Sequence, residues 1–179
     1  MTITQSTANA IADALKVVSA RSIRKFQANI DDQGHNLTGR LKGSFETVTT
    51  STNSGIKADI MVEGYGQFVD QGVKAARIPY SGRSGRGGKS KYIEGLKEFF
   101  IKRGRGSAEA LRAAFATAAK HRREGMPTRA SYRFSRNGKR LGIITDEIPG
   151  IETDLVQTVE NTVALELQTA IIAKFRQFA

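Results

Sequence analysis

Charge is segregated along this chain. Residues 73–140 hold nineteen of the 28 Lys and Arg against four acids, Glu94, Glu98, Glu109 and Glu124, a net of +15. Residues 1–72 balance seven bases against seven acids, and residues 141–179 set two bases against six acids, a net of −4. Such a partition assigns the ordinary fold to the two ends of the chain. It leaves the centre to meet a polyanionic or acidic partner.

The apolar pattern agrees with that division. Ile11, Leu15, Val18, Ile23, Phe26 and Ile30 recur three to five apart, which predicts a long amphipathic helix over residues 8–30. Asp31-Asp32-Gln33-Gly34 ends it. Leu37, Leu41 and Phe45 are four apart, predicting a short second helix over 36–44. Residues 46–52 and 56–63 are β-prone runs around Asn53-Ser54-Gly55, the pattern of an antiparallel hairpin. In the second run Ala58, Ile60 and Val62 alternate with Asp59, Met61 and Glu63, so one face should be buried.

Residues 64–72, GYGQFVDQG, read as a turn or short helical link. Residues 74–90 are rich in Gly, Ser and Arg and read as a mobile loop. Ser90 is placed to cap a helix over 91–103, with Ile93, Leu96, Phe99 and Phe100 on its apolar face. Ser107 is placed to cap another over 108–124, stopped by Gly125-Met126-Pro127. Asn137-Gly138 between Tyr132, Phe134 and Leu141, Ile143, Ile144 predicts a second hairpin over 131–147. Pro149-Gly150 opens a last long helix, with Val159, Val163, Leu167, Ile171 and Phe175 four apart. The expected fold is α+β: antiparallel β-sheet or hairpins packed by long N- and C-terminal helices, with a basic helical insertion. A length of 179 residues fits a single domain over 1–179, with 1–72 and 141–179 as framework and 73–140 as the basic loop and helical insertion.

Composition removes several classes of function. With no Cys there is no disulfide scaffold, thiol nucleophile, Cys-bound zinc or iron–sulfur site. With no Trp and 7% aromatic residues, aliphatic packing must dominate the core. Residues 1–14 have neither a basic leader nor a continuous apolar run, so a signal peptide is not expected. No stretch approaches the ~20 apolar residues of a membrane span, so a soluble protein with no membrane partner is expected.

Little in the chain suggests catalysis. Residues 82–90, GRSGRGGKS, approximate a phosphate-binding loop, but Arg83 stands where the pattern needs Gly, and Gly82 lies one residue too early. His35 and His121, the two histidines, lack a second His or carboxylate three or four residues on. A dispersed Ser–His–acid set stays open, though no GxSxG elbow supports it. Asp59, Glu63 and Asp70 read as solvated strand and turn positions. The expectation is a protein that is not an enzyme and takes no cofactor.

Within the basic stretch, Arg83, Arg86, Lys89, Lys91, Arg103 and Arg105 are the candidates for contact with DNA phosphates or an acidic protein. Tyr80 and Tyr92 flank the loop and are candidates for stacking on bases. Lys97, Lys102, Arg112 and Arg122 suit solvated helix faces. No sequence-reading motif accompanies these charges.

One pattern goes beyond composition. Leu37-Thr38-Gly39-Arg40-Leu41-Lys42-Gly43-Ser44 precedes the hairpin, and Gly64-Tyr65-Gly66-Gln67-Phe68-Val69-Asp70-Gln71-Gly72-Val73 follows it. This resembles the tail-completion, or neck, proteins of tailed double-stranded DNA phages, including the minor tail proteins that finish the head–tail junction. The matching positions are Leu37, Gly39, Leu41 and Ser44, then Tyr65, Phe68, Val69, Asp70 and Gly72. Two departures stand out: Gln71 interposes between the acid and the Gly, and Ile148-Pro149-Gly150 stands where many members have a longer Pro-Phe segment. Of the matched residues, Phe68 is expected as a core plug under the hairpin, and Gly72 as a turn. The resemblance implies a virion protein at the head–tail interface, assembled in the host cytoplasm. It would form a homo-oligomeric ring around the DNA channel, against other neck, portal-connector and tail-terminator or tail-tube proteins, with possible nonspecific contact with duplex DNA. From charge alone, the alternative is a small basic protein that binds nucleic acid without sequence specificity.

Overall fold

The structure, a computed structural model, describes residues 5–52, 55–80 and 90–177. Along the chain run α1 (Gln5–Asp32), β1 (Glu46–Thr52), β2 (Gly55–Met61), α2 (Gly66–Gln71), α3 (Lys91–Lys102), α4 (Ser107–Glu124) and α5 (Ile148–Gln177). Short 3-10 turns lie at Lys42–Ser44, Ala75–Arg77, Arg129–Phe134 and Thr145–Glu147. The fold is α+β, with one two-stranded antiparallel sheet and long helices at both ends. It divides into two compact units. Unit 1 comprises Met1–Gly66 with Gly142–Ala179, and unit 2 is Gln67–Leu141. The division falls at the start of α2, a few residues before the boundary read from charge.

Unit 1 is built on α1. Its buried side chains are Ala14, Val18, Ser19, Ser22, Phe26 and Ile30, a stripe of helical period. Phe26 meets Phe45 with ring centroids 5.6 Å apart, and Leu41 and Ile143 join the same core. Small residues at 14, 19 and 22 let neighbouring backbone approach closely. Ser22 satisfies its hydroxyl by donating to the Val18 carbonyl at 2.9 Å. The helix ends in paired closing bonds, His35 N–H to Ile30 O at 2.9 Å and Gly34 N–H to Asp31 O at 3.1 Å. That is the Schellman arrangement, which satisfies carbonyls the helix leaves unpaired.

The hairpin pairs Thr47 with Ile60, Thr49 with Ala58 and Ser51 with Ile56. Thr47, Thr49, Ile56, Ala58 and Ile60 are half-buried, and α1 packs against both strands. The other face is open. It carries Val48 and Met61, and a Lys57–Asp59 ion pair at 2.9 Å. The alternation expected of Ala58 and Ile60 is therefore present.

α5 returns antiparallel to α1. Asn29 donates to Glu147 at 3.0 Å, Arg21 to Asp154 at 2.9 Å, and Ser6 to Glu166 at 3.1 Å. Ascending α1 thus descends α5. Asn29 Nδ2 also donates to the Ile143 carbonyl at 3.1 Å, which fixes the entry of the last helix.

Several expectations fail for identifiable reasons. Residues 36–44 form bends and the single 3-10 turn Lys42–Ser44 rather than a helix, because Gly39 takes φ +71, outside the helical region. No strands form within 131–147. The turn at Asn137-Gly138 is present, with Asn137 Oδ1 accepting from Ser135 Oγ at 2.7 Å and Lys139 N–H at 3.0 Å. Its arms diverge: Tyr132 and Phe134 belong to unit 2, while Ile143 sits in the core of unit 1. Arms drawn into two cores cannot form one ladder. Gly106, not Ser107, is the N-cap of α4, and the Ser90 side chain makes no cap bond to α3.

Phe68 is corrected as well. It is 59% exposed on α2, whereas Leu41 is 5% exposed. Leu41→Asp should therefore bury an unpaired carboxylate at a cost of roughly 3 kcal/mol or more, and its thermal melt should fall sharply or vanish. Phe68→Asp should melt like the parent, within roughly 0.5 kcal/mol. Equal losses in both variants would show that Phe68 is packed.

Candidate functional site

Unit 2 carries the charge: nineteen of the basic residues and five acids lie within 67–141, a net of +14. Its core is small. Ala110, Ala114 and Ala118 are fully buried at i, i+4 spacing on α4, and this flat strip receives α3 through Ile93 and Leu96. The loop side is closed by a reciprocal pair of backbone bonds, Val73 N–H to Met126 O and Met126 N–H to Val73 O, both 2.8 Å. Two glycines permit that approach. A Cβ on Gly72, at φ +74, would lie 2.5 Å from Met126 O, and one on Gly125, at φ +82, would lie 2.7 Å from Val73 O. Gly72 thus serves the close turn expected of it.

Tyr80 and Tyr92 flank this core. Tyr92 O–H donates to His121 Nδ1 at 2.6 Å with the imidazole neutral, and Met126 Sδ lies 3.9 Å away. Burial pushes the Tyr92 phenol up to about 12. Burial also pushes His121 below its ordinary value of 6.5, while nearby Glu124 works in the opposite direction. Tyr80 lies against Phe115, centroids 6.5 Å apart, and its carbonyl accepts from Arg122 at 2.7 Å. Both tyrosines therefore pack within the unit.

The candidate cations fall into three groups. Arg83, Arg86 and Lys89 lie outside the described residues. Lys91 is exposed at the first position of α3, where a cation gains nothing from the helix dipole. Arg103 and Arg105 lie in the α3–α4 connection. Arg103 stacks over Phe99 at 4.7 Å, and Arg105 stacks over Phe100 at 5.3 Å while bonding Glu109 at 2.8 Å. Both remain exposed at their charged ends. Lys102, Arg122 and Arg123 sit in the last turns of α3 and α4, where the dipole favours positive charge. Burial, then the neighbouring Arg103, lowers Arg140, with Tyr132 opposing.

The family-like residues divide between the units. In unit 1, Leu41 is core, and Ser44 Oγ donates to Leu41 O at 2.9 Å while accepting from Glu63 N–H at 3.2 Å. Leu37 and Tyr65 are exposed, and Gly39 forms a turn. In unit 2, Asp70 is buried, Val69 half-buried and Phe68 exposed. The three acids near them are held separately: Asp59 by Lys57, Glu63 by Arg40 at 2.8 Å, and Asp70 inside unit 2. Among the described residues no group of three or more His, Asp or Glu is placed to hold a metal ion, and no helix is long and apolar enough to cross a membrane.

Two exposed apolar rows were not anticipated. One is Leu111 and Phe115 on α4, and the other is Leu167, Ile171 and Phe175 on α5. The signal for the second was present. Residues exactly four apart drift about 40° around a helix at each step, so the row that starts inward at Val159 ends facing away. No family model, curated protein or solved structure matches the chain.

The His121 environment generates a pH test. A folded-state value below the ordinary 6.5 means that the unfolded chain binds the proton better. The stabilisation is complete above 6.5 and is lost as pH falls through the lower folded value. Melting of unit 2 should therefore drop between about pH 8 and about pH 5, and His121→Gln should flatten that slope. An equal slope in the variant would show that His121 is not the group responsible.

Proposed function

We propose that this chain is a structural virion protein of the phage neck, completing the tail and joining it to the DNA-filled head as one copy of a ring around the DNA channel. The observation that carries the reading is the paired motif, Leu37–Ser44 before the hairpin and Tyr65–Gly72 after it, in a chain whose charge is gathered in one unit. Its role is assembly: neighbouring copies interlock, and the basic unit meets an acidic neck protein or lies near the duplex. What supports the reading is the use of those motif residues. Leu41 and Ser44 tie the hairpin to the core, and Gly72 lets the chain enter unit 2 against Met126. The cations of unit 2 outnumber its acids by fourteen, and this excess also motivates the second reading, a basic protein that binds nucleic acid without sequence specificity.

The two readings separate on purified material. A neck protein forms rings and retains little duplex DNA at moderate salt. A nucleic-acid-binding protein stays monomeric and binds duplex with an affinity that falls steeply and log-linearly with salt. In the virus, reversing Arg83, Arg86, Lys89 and Lys91 to Glu should leave the circular dichroism unchanged. The expected yield is filled heads and finished tails that fail to unite, and in vitro joining by the parent should weaken as salt rises. Normal infectious particles from the reversed variant would return the segment to a solvated face.

A further inference from the structure

The distal half of α5 is apolar on more than one side. Leu165, Leu167, Ile171, Ile172 and Phe175 are all exposed, Phe175 by 72%. Val156 and Glu160 continue the outward stripe toward the start of the helix, with Leu167, Ile171 and Phe175 following at helical spacing. The bonds between α1 and α5 place Ser6 opposite Glu166, so α5 runs roughly three turns past the described start of α1. A helix that is apolar around most of its surface is normally covered. A contiguous exposed patch of this kind marks an interaction surface.

The charges identify the cover. Unit 1 has nine bases and twelve acids, a net of −3, while unit 2 is +14. α5 itself carries Glu152, Asp154, Glu160 and Glu166, with Lys174 and Arg176 only at its tip. Glu160 lies on the outward stripe without an ion pair. Pairing α5 with another α5 brings together two helices that carry these acids. Unit 2 instead presents Leu111 and Phe115 on α4, next to Arg112, which is exposed and also makes no ion pair among the described residues. Apolar side chains meet apolar side chains, and carboxylates meet guanidinium groups.

We infer that the outward face of α5 docks on the α4 face of unit 2 in a second copy of this chain. The contact is heterologous, head to tail, because the two surfaces differ in sequence and in sign. Repeated, such a contact closes into a ring when its rotation closes, and otherwise grows into a filament. The inference rests on the ring reading above and names the surfaces that would make the ring.

The test uses two full-length variants altered on exposed positions. The first carries Ile171→Asp and Phe175→Asp. The second carries Arg112→Glu and Phe115→Asp. Circular dichroism verifies that each is folded, and sedimentation then gives the mass. The parent should assemble at low salt, and each variant alone should stay at the chain mass of 19.5 kDa. Mixed one to one, they should form a single species of two chains, because the intact α5 of one meets the intact α4 of the other. Raising salt from about 0.1 M to about 1 M should weaken that pair about tenfold or more.

A mixture that stays monomeric overturns the inference. So does self-association of the second variant alone, which would mean that α5 pairs with α5. Rings from the parent and from both variants would overturn this contact and leave the ring reading standing. A parent that is monomeric at every concentration would overturn both.

Discussion

The antiparallel pairing of α1 with α5 is the contact on which the rest of the structure depends. It brings together segments more than a hundred residues apart in sequence, through Asn29 with Glu147, Arg21 with Asp154 and Ser6 with Glu166. These polar contacts orient the helices, and the apolar stripe of α1 supplies the burial that stabilises unit 1. Exposed ion pairs such as Arg21–Asp154 are individually worth at most about 1 kcal/mol, whereas a buried Phe or Ile side chain contributes roughly 1.5–3 kcal/mol. Once the chain ends are joined this way, residues 67–141 leave and re-enter unit 1 at adjacent points of the sequence boundary and make a core of their own. That core is modest, resting on three alanines, Ile93 and the Tyr92–His121 pair.

Separating the two cores also separates the charges. Unit 2 keeps a surplus of fourteen positive charges that its own acids do not balance, and like charges at that density oppose compaction. Part of the surplus is absorbed locally, by Arg103 and Arg105 on phenylalanine rings and by the C-terminal dipoles of α3 and α4. The remainder is directed outward. The acidic α5 of unit 1, with its uncovered Leu167, Ile171 and Phe175, has the complementary sign and the complementary apolar character. One chain therefore carries both halves of a contact that copies can make with one another.

Much of this was legible from residue order. The period of Ile11 to Ile30 specified α1, Gly34 its end, and the alternation through Ala58 and Ile60 the buried face of the hairpin. The charge partition came within a few residues of the boundary between units. Failures arose where tertiary context overrode local pattern. Tyr132, Phe134 and Ile143 have the look of hairpin arms, but they serve two different cores. Phe68 has helical spacing from Tyr65, yet spacing alone does not say which side of α2 faces protein. The α5 row was read as one buried face because strict four-residue spacing conceals its rotation. Of the candidate site, the cations were visible in sequence. The acidic, apolar surface that complements them became visible only once α5 was seen to outrun α1.

An electron cryomicroscopy reconstruction of the purified full-length chain at low salt tests the central claim most directly. The account predicts closed rings in which α5 of each copy lies on the α3–α4 pair of its neighbour, with Phe175 covered and Glu160 near Arg112. A monomer, or a two-fold dimer joined through α5 alone, would contradict it.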